Sequence, residues 1–242
     1  MRTTPHIDAQ RAYYDERWAP AEYANLLQLD RAIAVLDGLR MLGPRSPRIL
    51  DLGCGTGWLA GILGRFGPTT GIDLSPLAIH RAQTLYPDVR FMAGSFFDLE
   101  LPDEAFDVVV SVQVLDHMED QPRFVDLVAR LLARGGHLIL ITPNAWNLAH
   151  WTRPDLEKFS GGLQPIERWL TPRELRVLLT PQFRVKRLHT ILPGFGNQGI
   201  FRIAHSRKLA RLLKALGVFS LYQWALLRAG FGLVIFTVAE RR

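Results

Sequence analysis

The sequence predicts a doubly wound α/β fold: seven strands in a mostly parallel sheet with helices on both faces. Three features carry that expectation. Strand patterns alternate with helical patterns between about residues 48 and 142. FDVVVSV at 106–112 is apolar without a break, as a strand covered on both faces must be. The first strand runs into LDLGCGTG at 50–57, a glycine loop leading to a helix, which is where such sheets receive ligands.

The elements follow in order. Helices are expected over 8–18 and 22–40, the second from the spacing of Leu26, Leu29, Ile33 and Leu36, with Gly43-Pro44 ending the pattern. Strands are expected over 48–52, 70–72, 89–93, 106–112 and 137–142, the last entered through Gly135-Gly136. The helices between them span 58–66, a segment opening at Pro76 with Ser75 as cap, and 122–133. After Pro143 the rhythm changes. Residues 143–170 read as irregular and hold Trp146, Trp151 and Trp169. Thr171, Pro172 and Glu174 then form a capping-box start to a helix. A sixth strand is expected over 183–191, a glycine-rich loop over 193–202, helices over about 205–216 and 219–229, and a final strand over 232–239.

Composition narrows the functional classes. The chain has 242 residues, 48% of them hydrophobic, enough for a large core and against disorder. The single cysteine, Cys54, excludes a disulfide within the chain and suits a reducing, cytoplasmic compartment. The start, MRTTPHIDAQR, lacks the apolar run of a signal peptide. The apolar stretch SLYQWALLRAGFGLVIFTVA is interrupted by Gln223, Arg228, Gly230 and Gly232 and is not expected to span a bilayer. No His, Cys and carboxylate cluster has metal-ligand spacing, so no metal is expected. The net charge of +6 conceals a division. Residues 1–174 carry 17 Lys and Arg against 22 acids, whereas 175–242 carry 12 against one.

The glycine loop separates two cofactor classes. A dinucleotide fingerprint has G-x-G-x-x-G, which would place its third glycine at Trp58. Here Gly53, Gly55 and Gly57 alternate, and Asp51 stands two residues before them. Glycines permit a tight turn and let a ligand approach the main chain. LDLGCGTG, followed by GIDLSP at 71–76, FDVVVS at 106–111, VLDH at 114–117 and LLARGGHLIL at 131–140, resembles the class I S-adenosylmethionine-dependent methyltransferases in order and spacing. TPN at 142–144 and WLTPRELRVLL at 169–179 extend the likeness to a small-molecule subgroup related to quinone-biosynthesis enzymes.

The resemblance implies a Rossmann-like fold, S-adenosyl-L-methionine as cofactor and a set of roles. Gly53 and Gly55 would line the methionine part, and Asp51 would hold the loop and the amino group. Cys54 lies in the same loop and reads as a small packing residue beside the cofactor, not a nucleophile. Asp73 would take both ribose hydroxyls, since a carboxylate accepts two hydrogen bonds from a vicinal diol. Leu74 would pack on the adenine. Ser95 stands where many relatives carry an aspartate for the adenine amino group, with the backbone near Phe96 as a substitute. Gln113, ending strand four, would lie near the methionine moiety. Tyr13, Tyr14 and Trp18, in YYDERW, would form an aromatic lid, Tyr14 over the cofactor and Trp18 towards the acceptor. Plainer readings stand beside these: Asp51 as a loop cap, Asp73 as a turn residue, the first helix as ordinary packing.

A sulfonium methyl is already activated, so the protein supplies position and a dry site. A hydroxyl or amine acceptor also needs a base. His117, beside Asp116, is the best-placed candidate, with a structural histidine as the alternative. His150, between Trp146 and Trp151, is the second. Asn144, after Thr142-Pro143, is expected to contact the acceptor, and Trp146 and Trp151 to wall it. The implied organisation is one domain: 1–45 a helical cover, 46–142 the cofactor core, 143–242 the acceptor side with a helical insertion at about 193–230. The expected activity is methyl transfer to a small molecule, to oxygen before carbon or nitrogen. The last preference comes from the family. The alternatives are C- or N-methylation of an isoprenoid or anionic amphiphile, and a non-catalytic cofactor-binding module. Arg207, Lys208, Arg211 and Lys214 lie opposite Leu209, Leu212, Leu213 and Leu216 on one helix. A solvated basic face, peripheral contact with an anionic membrane, and attraction of an anionic substrate all fit that pattern. No nucleic-acid module accompanies it.

Overall fold

The computed structural model describes residues 7–18, 26–43, 46–146, 166–193 and 207–242. His150 and Trp151 lie outside the described residues, as does most of the glycine-rich loop. Seven strands form one sheet: β1 (Ile49–Leu52), β2 (Thr69–Asp73), β3 (Arg90–Ala93), β4 (Phe106–Val112), β5 (Leu132–Pro143), β6 (Phe183–Pro193) and β7 (Gly232–Arg241). Their order is β3-β2-β1-β4-β5-β7-β6. β7 runs antiparallel to both neighbours, and every other pair is parallel. The chain moves from β1 outward to β2 and β3, then returns to place β4 on the opposite side of β1. That reversal opens a crevice beyond the carboxyl ends of β1 and β4.

Side-chain alternation along β4 assigns the layers. Val108 and Val110 pack with Ala32, Val35 and Leu39 of α2 (Leu26–Leu42) and with Leu59 and Leu63 of α3 (Trp58–Leu63). Val109 points the other way, into a cluster with Phe124, Val125 and Val128 of α5 (Gln121–Leu131) and Leu175 and Leu179 of α6 (Pro172–Leu179). Phe124 and Val128 are fully buried, each such burial being worth about 1.5–3 kcal/mol. A third cluster joins Ile79 and Ala82 of α4 (Pro76–Leu85) to Cys54 and Phe91.

Helix starts obey local chemistry. Ser75 Oγ accepts from Ala78 N ahead of Pro76, and Asp120 accepts from Arg123 N at the start of α5. Thr171 and Glu174 close the reciprocal capping box of α6. The main departure from expectation is β5, which begins at Leu132 where helix had been expected to continue to Ala133. Leu132 pairs with Phe106 and His137 with Val108, so the residues between them, including Gly135 at φ +73°, bulge out of register. Three helices complete the described chain. α1 (Ile7–Trp18) has no buried residue, α7 (Arg207–Ala215) packs on α8 (Phe219–Arg228), and α8 packs on β6.

Candidate active site

The carboxyl ends of β1, β2 and β4 open into a cavity of about 600 Å³, covered by α1 and α2. Its floor is the glycine loop. Gly53 and Gly55 have φ of +77° and +53°, a region that penalises other residues. Space is a second constraint. A Cβ on Gly53 would lie 2.2 Å from Val114 Cγ2, and one on Gly55 would lie 2.7 Å from the Trp18 ring.

Asp73, at the end of β2, is buried and ties the loop together. Its Oδ2 accepts from Gly55 N at 2.8 Å and its Oδ1 from Ser75 N at 3.0 Å. Burial raises its pKa, and these backbone amides oppose the rise. Each oxygen retains a lone pair for a further donor. Asp51, ending β1, is 2% exposed and its Oδ2 has no partner. Burial, and then the nearby Asp73, push its pKa up to about 7. The Cys54 thiol is also raised, first by burial, so it stays protonated and packs.

α1 has a definite attachment. Ser75 Oγ donates to Asp15 of α1, and Arg81 of α4 donates to Trp18 O. Tyr14 is pushed well above the ordinary tyrosine range by burial, then by Asp116 and Asp73, so its hydroxyl keeps its proton. The Tyr14 ring meets the His117 ring edge-on, at 6.3 Å between centroids.

His117 lies in a short 3₁₀ turn after β4 and has both ring nitrogens engaged. Nδ1 is 2.9 Å from Ile166 O, a carbonyl that can only accept, so Nδ1 carries a proton. Nε2 is 3.1 Å from Asp116 Oδ2. Neither nitrogen is free for an acceptor's proton. The other oxygen of Asp116, Oδ1, is buried without a partner, and burial raises the pKa of this carboxyl.

Tyr14, Trp18, Asp51, Gly53, Cys54, Gly55, Asp73, Leu74, Ser95, Phe96, Gln113 and His117 all line the cavity. Gln113 holds a left-handed φ of +59°, a strained conformation that aims its side chain into the site. Asn144 and Trp146 are placed elsewhere. Asn144 is fully buried, its Nδ2 donating to Gly230 O and Gly232 O at 2.8 Å and its Oδ1 accepting from Trp146 N. Its amide pins β5 to the start of β7, both of its N–H donors are consumed, and its full burial keeps it away from an acceptor. Trp146 is 47% exposed and lies against Gly230. Two lining residues escape a sequence reading: Arg31 of α2, whose Nε is buried without a partner, and Asp116, which had drawn notice only as the neighbour of His117. Burial lowers the Arg31 pKa, which Asp116 partly offsets, and the guanidinium stays charged. Among the described residues no cluster of His, Cys and carboxylates could hold a metal.

The strand order, the reversal at β1 and β4 and the glycine-lined crevice define a Rossmann-like α/β protein with an open cavity at the switch point, where such sheets receive ligands. Residues 50–140 match the family model described as a methyltransferase domain. Over that stretch the chain is similar to class I S-adenosylmethionine-dependent methyltransferases, and the cofactor that goes with the likeness is S-adenosyl-L-methionine. A probable S-adenosylmethionine-dependent methyltransferase of Mycobacterium tuberculosis is 37% identical over 106 residues, covering 43% of this chain and 39% of that one. A ubiquinone biosynthesis O-methyltransferase of Alkalilimnicola ehrlichii is 37% identical over 131 residues, covering 52% and 51%. The chain thus spans about half or less of these relatives' length. Among solved structures, the N-methyltransferase NodS of Bradyrhizobium japonicum, in complex with S-adenosyl-l-homocysteine, has the same fold. Its TM-score is 0.65 at 16% identity, covering 96% of this chain and 98% of that one.

Proposed function

We propose that the chain transfers the methyl group of S-adenosyl-L-methionine to a hydroxyl oxygen of a small molecule. The observation that carries the reading is a set of buried polar atoms without partners around one cavity. Trp18 Nε1, Arg31 Nε and Gln113 Nε2 are donors, and Asp51 Oδ2 and Asp116 Oδ1 are acceptors. Leaving such groups unmatched costs about 1–3 kcal/mol each, so they mark where a ligand supplies the partners. An amino acid's ammonium and carboxylate are that complement. Asp51 would accept from the ammonium, and Arg31 and Gln113 would donate to the carboxylate. Asp73 would accept from the ribose hydroxyls with its remaining lone pairs, and Leu74 would cover the base. When bound, the cofactor supplies an electrophilic methyl.

The rest of the work falls to position, water exclusion and one proton. Alignment of the reacting atoms contributes most, up to about 7–11 kcal/mol. The proton goes to Asp116 Oδ1. Asp116 is the base in this reading and His117 orients it, a reversal of the roles the bare sequence suggests. The preference for oxygen is supported by the O-methyltransferase relative.

Calorimetry and a labelled-methyl assay test the reading together. Asp73→Ala should abolish binding of S-adenosyl-L-methionine, and unchanged affinity would refute the ribose assignment. The wild-type chain should turn hydroxyaromatic acceptors into methyl ethers identified by mass spectrometry. Tight cofactor binding with no transfer to any such acceptor would favour a non-catalytic module.

A further inference from the structure

The least expected surface lies away from this cavity, on the hairpin of α7 and α8. α8 has no buried residue, yet its sequence FSLYQWALLR is mostly apolar. Leu216 and Leu221 are each 63% exposed, Trp224 58% and Leu212 55%. Exposed Val218 bridges them across the turn. Single exposed apolar residues need no explanation, but five within thirteen positions form a patch that does.

Cations frame that patch. Lys208, Arg211, Lys214 and Arg228 belong to the same two helices, and no acid occurs between Glu174 and Glu240. Lys214 Nζ lies 5.1 Å from the Phe219 ring centroid, and the Arg228 guanidinium 5.6 Å from that of Trp224. The hairpin is fixed at its far end. Thr190 Oγ1 donates to Leu227 O at 2.8 Å, and Asn144 Nδ2 holds Gly230 O. The turn at Gly217 and the exposed leucines therefore project from a rigid base.

We propose that this hairpin docks on an anionic lipid bilayer. The chemistry selects that occupant over the others. A solvated basic helix has no use for an exposed leucine and tryptophan ridge. A nucleic acid would use the cations and leave the leucines in water. A second copy of the chain would set two cationic faces against each other. A bilayer satisfies both halves: leucines and tryptophan enter the headgroup boundary while lysines and arginines meet anionic headgroups. Among the described residues no helix is long and apolar enough to cross a membrane, so the contact is peripheral. The inference does not depend on methyl transfer.

Flotation of the full chain with vesicles tests it, comparing phosphatidylcholine mixed with phosphatidylglycerol against phosphatidylcholine alone. Anionic vesicles should be preferred at least about tenfold, and raised salt should weaken the binding. Replacing Lys208, Arg211 and Lys214 by Gln should lower partition on the order of 100-fold, from about fivefold per cation near an anionic surface. Leu221→Ser with Trp224→Ser should lower it at least about tenfold while leaving thermal stability and cofactor affinity unchanged, since both residues are exposed and neither lines the cavity. Equal binding to both vesicle types would overturn the proposal. So would full retention of binding by the serine variant, which would reveal simple attraction to polyanions. Concentration-dependent self-association lost in the serine variant, without vesicle binding, would assign the patch to a second copy instead.

Discussion

Asp51 illustrates how a single residue couples ligand, proton and stability. Its carboxyl is buried with Oδ2 unpartnered, and burial pushes its pKa up to about 7, well above an ordinary aspartate. A raised value means that the folded protein holds this proton more tightly than the unfolded chain. Stability from that proton is complete below about pH 4 and is lost as pH rises through about 7. Asp51→Asn should therefore raise the melting temperature of the ligand-free protein at pH 8, by up to about 4 kcal/mol in stability, and leave it nearly unchanged at pH 4. The same variant should weaken the cofactor, because the ammonium loses its counter-charge. In the wild type, binding near pH 6.5 should release a proton, seen as a heat that varies with the buffer. No buffer dependence would remove Asp51 as the partner of the ammonium.

Asp116 and His117 make a second residue-scale case. His117 holds the Asp116 carboxyl pKa down against burial, so its removal moves that pKa upward. The acidic limb of kcat/KM should shift to higher pH in His117→Ala. Asp116→Asn should lose the limb and about 10²–10⁴-fold in kcat. An unmoved limb in both variants would take the pair out of the chemistry.

At the scale of elements, α1 covers the cavity without a buried residue of its own. None of its residues is fully buried, and its ties to the body include Asp15 to Ser75, Trp18 O to Arg81, the Trp18 ring against Gly55 and the Tyr14 ring against His117. Elements with so few buried contacts open at low free-energy cost. Trp18→Ala should leave the melting temperature within a few degrees but weaken cofactor affinity by about tenfold or more, read by calorimetry. A large loss of stability with unchanged affinity would make α1 plain packing. The elements also show what a sequence can disclose. Ser75-Pro76 and the Thr171-to-Glu174 box announced helix starts because capping is settled within four residues. The bulge that opens β5 at Leu132 was hidden, because it depends on pairing with Phe106 across the sheet.

At the scale of the molecule, the glycine loop and its carboxylates were legible because one strand and one turn contain them. Asn144 misled because its amide is consumed by carbonyls of Gly230 and Gly232, which lie 86 and 88 positions further along the chain. Arg31 went unseen because an arginine on an amphipathic helix looks solvated until the cavity it enters is known. Charge behaves similarly: the basic surplus after residue 174 was countable, but its mixture with exposed apolar side chains emerged only from the packing of α7 and α8.

β7 follows both β5 and β6 in the chain yet lies between them in the sheet. On the ribosome, then, the nascent sheet holds an open slot until that ribbon emerges, with two unsatisfied backbone margins exposed in the crowded cell. Chaperone dependence during synthesis should concentrate in that interval, and a premature stop codon just before Gly232 would leave a gap inside the sheet where a stop at most other places would merely shorten its rim.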